Sequence, residues 1–180
     1  MTDDQSPDGA GAPENAPNAA PGPQGNAEPP FVIRYQYLKD FSFENPRAPE
    51  TFEGGPTPNP NAVIDVKTRP LGGRDIEVAI TLETQSGPDG EPAYILELTY
   101  ACVVRVGNVP KEALNPIILV EIPRMMFPFV RELVATATRN GGYSMLMLSP
   151  FDFMQLYRRR LAEEQARQAS QGSDSEPTAN

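Results

Sequence analysis

From Phe31 to Val106 the chain alternates apolar and polar side chains in four runs, each followed by a turn or loop rich in Pro, Gly or Asn. Successive side chains on a strand point to opposite faces, so such runs make strands that are buried on one side and wet on the other. The first strand spans about 31–43. Its odd positions are Phe31, Ile33, Tyr35, Tyr37, Lys39, Phe41 and Phe43. Its even positions, continued through Glu44, are Val32, Arg34, Gln36, Leu38, Asp40, Ser42 and Glu44. Strict alternation predicts one face almost wholly apolar or aromatic, and a second that carries Asp40 and Glu44 together. One face wants burial and the other offers paired carboxylates, which suits a protein that binds proteins better than one that does chemistry.

A loop over 45–61 follows, with Pro46, Pro49, Pro56, Pro58, Pro60 and Gly54-Gly55. Prolines stiffen it, and loops this long in compact domains are often functional. Phe52 is its one large apolar residue. Strand two covers about 62–68, with Ala62, Ile64 and Val66 on one face. After the turn Arg69–Gly73, strand three covers about 74–84, with Ile76, Val78, Ile80 and Leu82 inward and Asp75, Glu77, Thr81 and Glu83 outward. Ser86–Gly90 is a strong turn signal, so strand three and strand four (about 93–106) make a long hairpin. Strand four carries Tyr94, Leu96, Leu98, Tyr100, Cys102, Val104 and Val106 on one face, and Ile95, Ala101 and Val103 on the other. A second face that is partly apolar is expected to be covered, and a neighbouring subunit would do so.

The period then changes. Pro110 opens a helical stretch, Asn115-Pro116 restarts it and Pro123 breaks it again. Phe129, Val130, Leu133, Val134 and Ala137 recur at helical spacing until Asn140-Gly141-Gly142 stops the helix. A last helix is predicted to start at Ser149-Pro150-Phe151-Asp152, with Ser149 as the cap. Phe153, Met154, Tyr157 and Leu161 follow on one side. Strands first and helices after them is an α+β pattern without βαβ units.

Composition narrows the function. There is no histidine, which removes His-based catalytic and metal sites. The single cysteine, Cys102, cannot form an internal disulfide and falls on an apolar strand face, where it reads as a small core residue. Ser86–Gly90 lacks the repeated acidic ligands of a calcium loop. Arg158-Arg159-Arg160 reads as a basic patch or, better, as the solvated face of the last helix. No metal and no cofactor is expected, nor a nucleotide, since no phosphate-cradling Gly motif is present. No stretch is expected to be long and apolar enough to cross a bilayer, and the acidic start lacks a signal core. The net charge is −9, most of it in the ends: residues 1–30 hold five acidic residues and no basic one, and 163–180 carry a net −3. An acidic chain is a poor nucleic-acid binder. Residues 1–30, without Val, Ile, Leu, Phe or Tyr, are expected to be a disordered Pro/Ala/Gly-rich leader, and 163–180 a disordered acidic tail.

Three blocks carry a family resemblance: Tyr37, Lys39-Asp40, Ser42, Glu44, Pro46 and Ala48-Pro49; then Phe127-Pro128-Phe129 with Arg131-Glu132; then Leu146, Leu148, Pro150, Phe153 and Leu156. In order and spacing the chain resembles the SecB family of protein-export chaperones over about residues 31–160. The resemblance implies a four-stranded antiparallel sheet with helices packed on one side, in a SecB-like domain over 31–162 that assembles as a dimer of dimers. It implies a cytoplasmic, non-enzymatic, ATP-independent chaperone that binds unfolded preproteins and delivers them to the SecA motor. It implies SecA contacts at Asp40, Glu44, Ile95 and Glu97, and a client groove lined by Phe43, Phe52, Ile64, Val66 and Met154. The alternative is an acidic-surface adaptor without holdase activity. A carboxylate enzyme ranks well below both.

Overall fold

The computed structural model describes residues 28–53, 60–87 and 90–173. Most of the leader, loop residues 54–59, Pro88-Asp89 and residues 174–180 lie outside the described residues. Four strands, β1 (Phe31–Glu44), β2 (Asn61–Gly72), β3 (Asp75–Ser86) and β4 (Tyr94–Val106), form one antiparallel sheet in the order β1-β4-β3-β2. β2 runs through Pro70, which the alternation does not predict. Proline cannot donate to a ladder, and β2 tolerates it because it is an edge strand. Gly72 and Gly73 both take positive φ, 110° and 57°, at the β2–β3 turn, a conformation that side chains with a Cβ resist.

β1 departs from strict alternation. Ile33 pairs with Val104 but Tyr35 with Val103; Leu38 pairs with Tyr100 but Asp40 with Thr99. Arg34 and Lys39 are therefore extra residues, each a bulge, and each bulge shifts the phase by one. Phe31, Ile33, Leu38, Phe41 and Phe43 fall on the side of β4 that carries Leu96, Leu98 and Val104. Tyr35 and Tyr37, which simple alternation places with Phe41 and Phe43, lie instead on the opposite side with Asp40, Ser42 and Glu44. The Asp40–Glu44 pairing on one face holds.

The helices cover one face only. α1 (Lys111–Pro116), a π-helical stretch (Ile117–Glu121) and α2 (Ile122–Asn140) join into one run. The predicted break at Pro123 is absent: Pro116 and Pro123 flank the widened π turn, which absorbs their missing donors and ring clashes. The joined helix Lys111–Asn140 is long and apolar enough to cross a membrane by length and composition alone, against the expectation that no such stretch exists. Ile118, Val120, Ile122, Met126, Val130 and Val134 along it are buried, facing Val78, Ile80, Leu82, Leu96, Leu98 and Val104 of the sheet, as in the core helix of a globular domain. α2 stops where expected: Gly141 N–H donates to Ala137 O (2.8 Å).

α3 (Phe153–Ser173) begins later than Ser149-Pro150 suggests. Asp152 is the cap, its Oδ1 accepting the Gln155 amide at 3.0 Å, while Ser149 and Pro150 stay outside the helix. Phe153 enters the core edge-on to Phe127 and Phe151. Arg160 is not simply solvated. It pairs with Asp65 and donates to Val66 O (2.8 Å), tying α3 to β2. Cys102 is fully buried, and burial pushes its thiol up to about 12, so it packs as the strand pattern predicts.

Candidate functional site

The face of the sheet without helices gathers acidic residues at one end. Glu44 lies opposite Ile95, Ser42 opposite Glu97, and Asp40 opposite Thr99. Directly paired residues share a face, so Asp40, Glu44, Ile95 and Glu97 lie on one side of the sheet. Register adds two residues the sequence alone did not single out. Glu83 of β3 pairs with Glu97, and Val63 of β2 pairs with Glu83. Single-strand patterns cannot show which residues meet across strands; only the β3–β4 turn length could have hinted at the Glu83–Glu97 match. Asn61, Val63, Glu83, Gln85, Ile95 and Glu97 line a shallow depression of about 280 Å³. None of Asp40, Glu44, Glu83 and Glu97 has an ion pair among the described residues. Like charges directly opposite each other cost stability. A pair such as Glu83–Glu97, left uncompensated around exposed Val63, is what a basic partner would relieve.

Further along the same face the carboxylates are neutralised. Glu77 is 5 % exposed although no helix covers it. Tyr37 donates its hydroxyl to Oε1 (2.5 Å), and Lys39 Nζ and Arg69 Nε donate to Oε2 (2.9 and 3.0 Å). The Arg69 hydrogen bond first, then those from Tyr37 and Lys39, hold the Glu77 carboxyl down at about 2. The hydrogen bond to Glu77 likewise raises the Tyr37 phenol to about 12. Because the folded-state value of Glu77 lies below its ordinary 4.5, its contribution is complete above that value and is lost as pH falls from there toward 2. Thermal midpoints measured across this window should fall more steeply for the wild type than for Glu77→Gln. Parallel curves would contradict the assignment.

The helix side carries an aromatic cluster at its β1 end. Phe43 stacks on Tyr94 (5.7 Å), Tyr94 meets Tyr143 (4.9 Å), and Tyr143 meets Phe52 (5.4 Å). The Tyr143 hydroxyl donates to Ala93 O at 2.8 Å and lies 3.1 Å from the Thr51 hydroxyl, which holds the loop that carries Phe52. Gly142, at φ 90°, sits under the Phe52 ring, where an added Cβ would come within 2.9 Å of Cε1. Phe52 nonetheless leaves 49 % of its surface exposed. Beside it, Leu38, Phe41, Phe43, Leu133, Ala137 and Gly141 line a cavity of about 440 Å³.

The other three groove candidates sit elsewhere. Val66 is buried, and Ile64 and Met154 are half-buried against the core where α3 meets β2. β1 and β2 are opposite edges of the sheet, roughly 14 Å apart at ~4.8 Å per strand. One chain therefore presents two apolar areas, Phe43 with Phe52 at one edge and Ile64 with Met154 at the other. Met145 and Met147 add exposed apolar surface on the extended segment before α3, which alternates with half-buried Leu146 and buried Leu148. The unbroken apolar run from Met145 to Leu148 was the available signal. Among the described residues no group of His, Cys, Asp and Glu could hold a metal.

Comparison with known proteins completes the description. A family profile described as preprotein translocase subunit SecB matches residues 24–164. The protein-export protein SecB of Afipia carboxidovorans is 45 % identical over 152 residues, covering 84 % of this chain and 92 % of its own. That of Xanthobacter autotrophicus is 43 % identical over 144 residues, covering 79 % and 92 %. Among solved structures, a SecB-like chaperone of Mycobacterium tuberculosis in complex with a peptide from the HigA1 antitoxin superposes with a TM-score of 0.55 at 16 % identity, over 68 % of this chain and 91 % of its own. That likeness speaks for the fold alone.

Proposed function

The chain belongs to the SecB family of protein-export chaperones, and from that premise we propose that it captures unfolded preproteins in the cytoplasm without ATP, keeps them competent for translocation and hands them to SecA. The observation that carries the reading is the division of one sheet. Its helix side offers exposed aromatic and aliphatic surface, and its bare side offers unpaired carboxylates around Val63 and Ile95. A holdase must accept many sequences, and aromatic and methionine side chains repack around varied segments. Phe43 and Phe52 would grip a client at one edge, with Ile64 and Met154 serving at the other; Val66, buried in the core, backs that edge instead of lining it. Asp40, Glu44, Ile95 and Glu97 would meet the small zinc-bearing module of SecA, steered by charge.

Assembly as a dimer of dimers would join the two apolar areas of different copies into longer channels. Two surfaces support it. β1 is an edge of 14 residues with unpaired backbone on its outer side and exposed Val32, Tyr35, Leu38 and Phe41, and such an edge invites pairing with a second copy. α2 leaves Met125 and Phe129 about half exposed, Phe129 with one face of its ring stacked on Tyr100. Sedimentation would give the mass of four copies.

The direct test is light scattering from a chemically denatured precursor diluted into buffer without nucleotide. Near-stoichiometric protein should suppress aggregation. An adaptor without holdase activity leaves the scattering unchanged. Phe52→Ala should weaken client binding by about 1–2 kcal/mol, roughly fivefold to thirtyfold, as expected for an exposed aromatic anchor, with little loss of stability. Unchanged client affinity would remove the 45–61 loop from the client site.

A further inference from the structure

The bare face is divided by charge along its strands. One end gathers Asp40, Glu44, Glu83 and Glu97, none of them in an ion pair among the described residues. Toward the other end the sign reverses. Arg34 and Lys39 of β1, Lys67 and Arg69 of β2 and Arg105 of β4 meet two carboxylates there, Asp75 and Glu77 of β3. Arg34 and Arg105 share Asp75, and Lys39 and Arg69 share Glu77. Lys67 is exposed and has no ion pair among the described residues. Positive charge is thus in surplus on this half.

The surplus surrounds a hollow. Lys39, Lys67, Arg69, Glu77, Thr81 and Thr99 line a depression of about 370 Å³. Lys67 lies opposite Ala79, whose short side chain leaves the space open. Thr81 and Thr99 are directly paired beside it. An ammonium next to two hydroxyls is a donor set for a carboxylate.

The chain carries carboxylates to this end of the sheet. Gly107 N–H, just past β4, donates to Pro30 O at 2.9 Å, and Glu28 pairs with Arg74, the residue before β3, at 3.6 Å. β1 is an edge strand, with β4 and then β3 inside it. Traced back from Phe31, the chain therefore runs inward across the end of the sheet, toward the strand that carries Asp75 and Glu77. Residues 1–27, outside the described residues, hold Asp3, Asp4, Asp8 and Glu14 and no basic side chain. Ala79, opposite Lys67, is four residues along β3 from Asp75, about 13 Å at ~3.3 Å per residue. The leader is long enough to cover that distance several times over. Tethering holds its carboxylates near the depression at an effective concentration of about a millimolar, so weak charge contacts suffice. The acidic residues 174–180 are placed less well, since they follow α3, which packs on the helix side.

We propose that residues 1–27 dock, within the same chain, on the cationic half of the bare face, with a leader carboxylate seated beside Lys67. The leader then covers the positive half and leaves the face with a single sign for a basic partner. That this partner is SecA rests on the reading above; the docking of the leader does not, and its test uses no SecA.

The lysines make the test clean. There are three: Lys39, Lys67 and Lys111, the last at the start of α1. A water-soluble carbodiimide joins a carboxylate to an amine as an amide, taking up the water that is lost, and digestion with mass spectrometry locates each bond. In the full chain Lys67 should couple to Asp3, Asp4, Asp8 or Glu14 with about tenfold the yield of Lys111, and 0.5 M salt should remove most of the difference, because it screens exposed charges. Equal yields at Lys67 and Lys111 overturn the proposal. Coupling of Lys67 to Asp174 or Glu176 in place of the leader overturns it in favour of the tail. In protein refolded from isotope-labelled and unlabelled chains, bonds that join the two kinds assign the leader to a neighbouring copy and overturn the same-chain contact. A second measurement needs no lysine chemistry. A dye on Ser6→Cys, in a chain whose own Cys102 is buried, should lose anisotropy in Lys67→Glu to the level of a leader with Asp3, Asp4, Asp8 and Glu14 made into their amides. Lys67 is exposed and unpaired, so this reversal should leave the fold intact. Unchanged anisotropy in the folded Lys67→Glu variant overturns the seat.

Discussion

Charge reversal at two positions, Asp40→Lys with Glu44→Lys, should abolish SecA binding and spare client capture. Both side chains are exposed on the bare side of β1, and neither has an ion pair among the described residues. Substitutions at such positions change folding stability by about 0.5 kcal/mol or less, so the fold and the client surface should survive. Each reversal replaces an attraction with a repulsion of similar size. Two of them should cost about 3 kcal/mol or more of binding, roughly a hundredfold in affinity, with the loss greatest at low salt. Titration calorimetry at two ionic strengths reads this directly. Retained SecA affinity in the double variant would remove the acidic end of the sheet from the account.

The largest effect on stability is expected at Phe153. Its ring is 1 % exposed and stands edge-on to Phe151 (4.9 Å) and Phe127 (5.7 Å), where the first turn of α3 closes over α2. Phe153→Ala leaves a hole on both sides of that junction. Truncating a buried phenylalanine costs about 3–5 kcal/mol, a large share of the ~5–15 kcal/mol that holds a typical domain together. The unfolding free energy should fall by that amount, read as a lower denaturant midpoint at unchanged slope. A shift below about 1 kcal/mol would mean that α3 is not anchored here, since surface-like substitutions give no more. Client affinity would fall indirectly, because Met154 and Tyr157 share the packing of this helix against the core.

Much of this architecture is legible one strand at a time. The alternation of β3 and β4 marks their buried faces residue by residue, and Val78, Ile80, Leu82, Leu96, Leu98 and Val104 are core as the pattern requires. The Asn140-Gly141-Gly142 stop is equally local. β1 defeats the same method because each bulge, between Ile33 and Tyr35 and between Leu38 and Asp40, shifts the phase against β4, which period-two counting on one strand cannot see. The prolines mislead in the opposite direction. Pro116 and Pro123 each look like breaks, yet a π turn between them carries the helix through, and the apolar run of Lys111–Asn140 is then one core element. For the candidate sites, Asp40 and Glu44 are visible as neighbours on one strand, whereas Glu83 and Val63 join them only through register. The aromatic cluster is similar: Phe43 and Phe52 stand out singly, but they are connected by Tyr94 at the start of β4 and by Tyr143, which the return of the chain after α2 brings in.

One sheet is held to serve two partners from opposite sides, and occupancy of both at once tests that most directly. Protein loaded with an unfolded precursor should be titrated with SecA, or with its zinc-bearing module, while a label on the precursor reports release. The expected result is a ternary complex whose SecA affinity lies within about threefold of that of the empty protein, as independent sites require. Displacement of the precursor in proportion to SecA bound would show that both ligands compete for one surface, and would contradict the account.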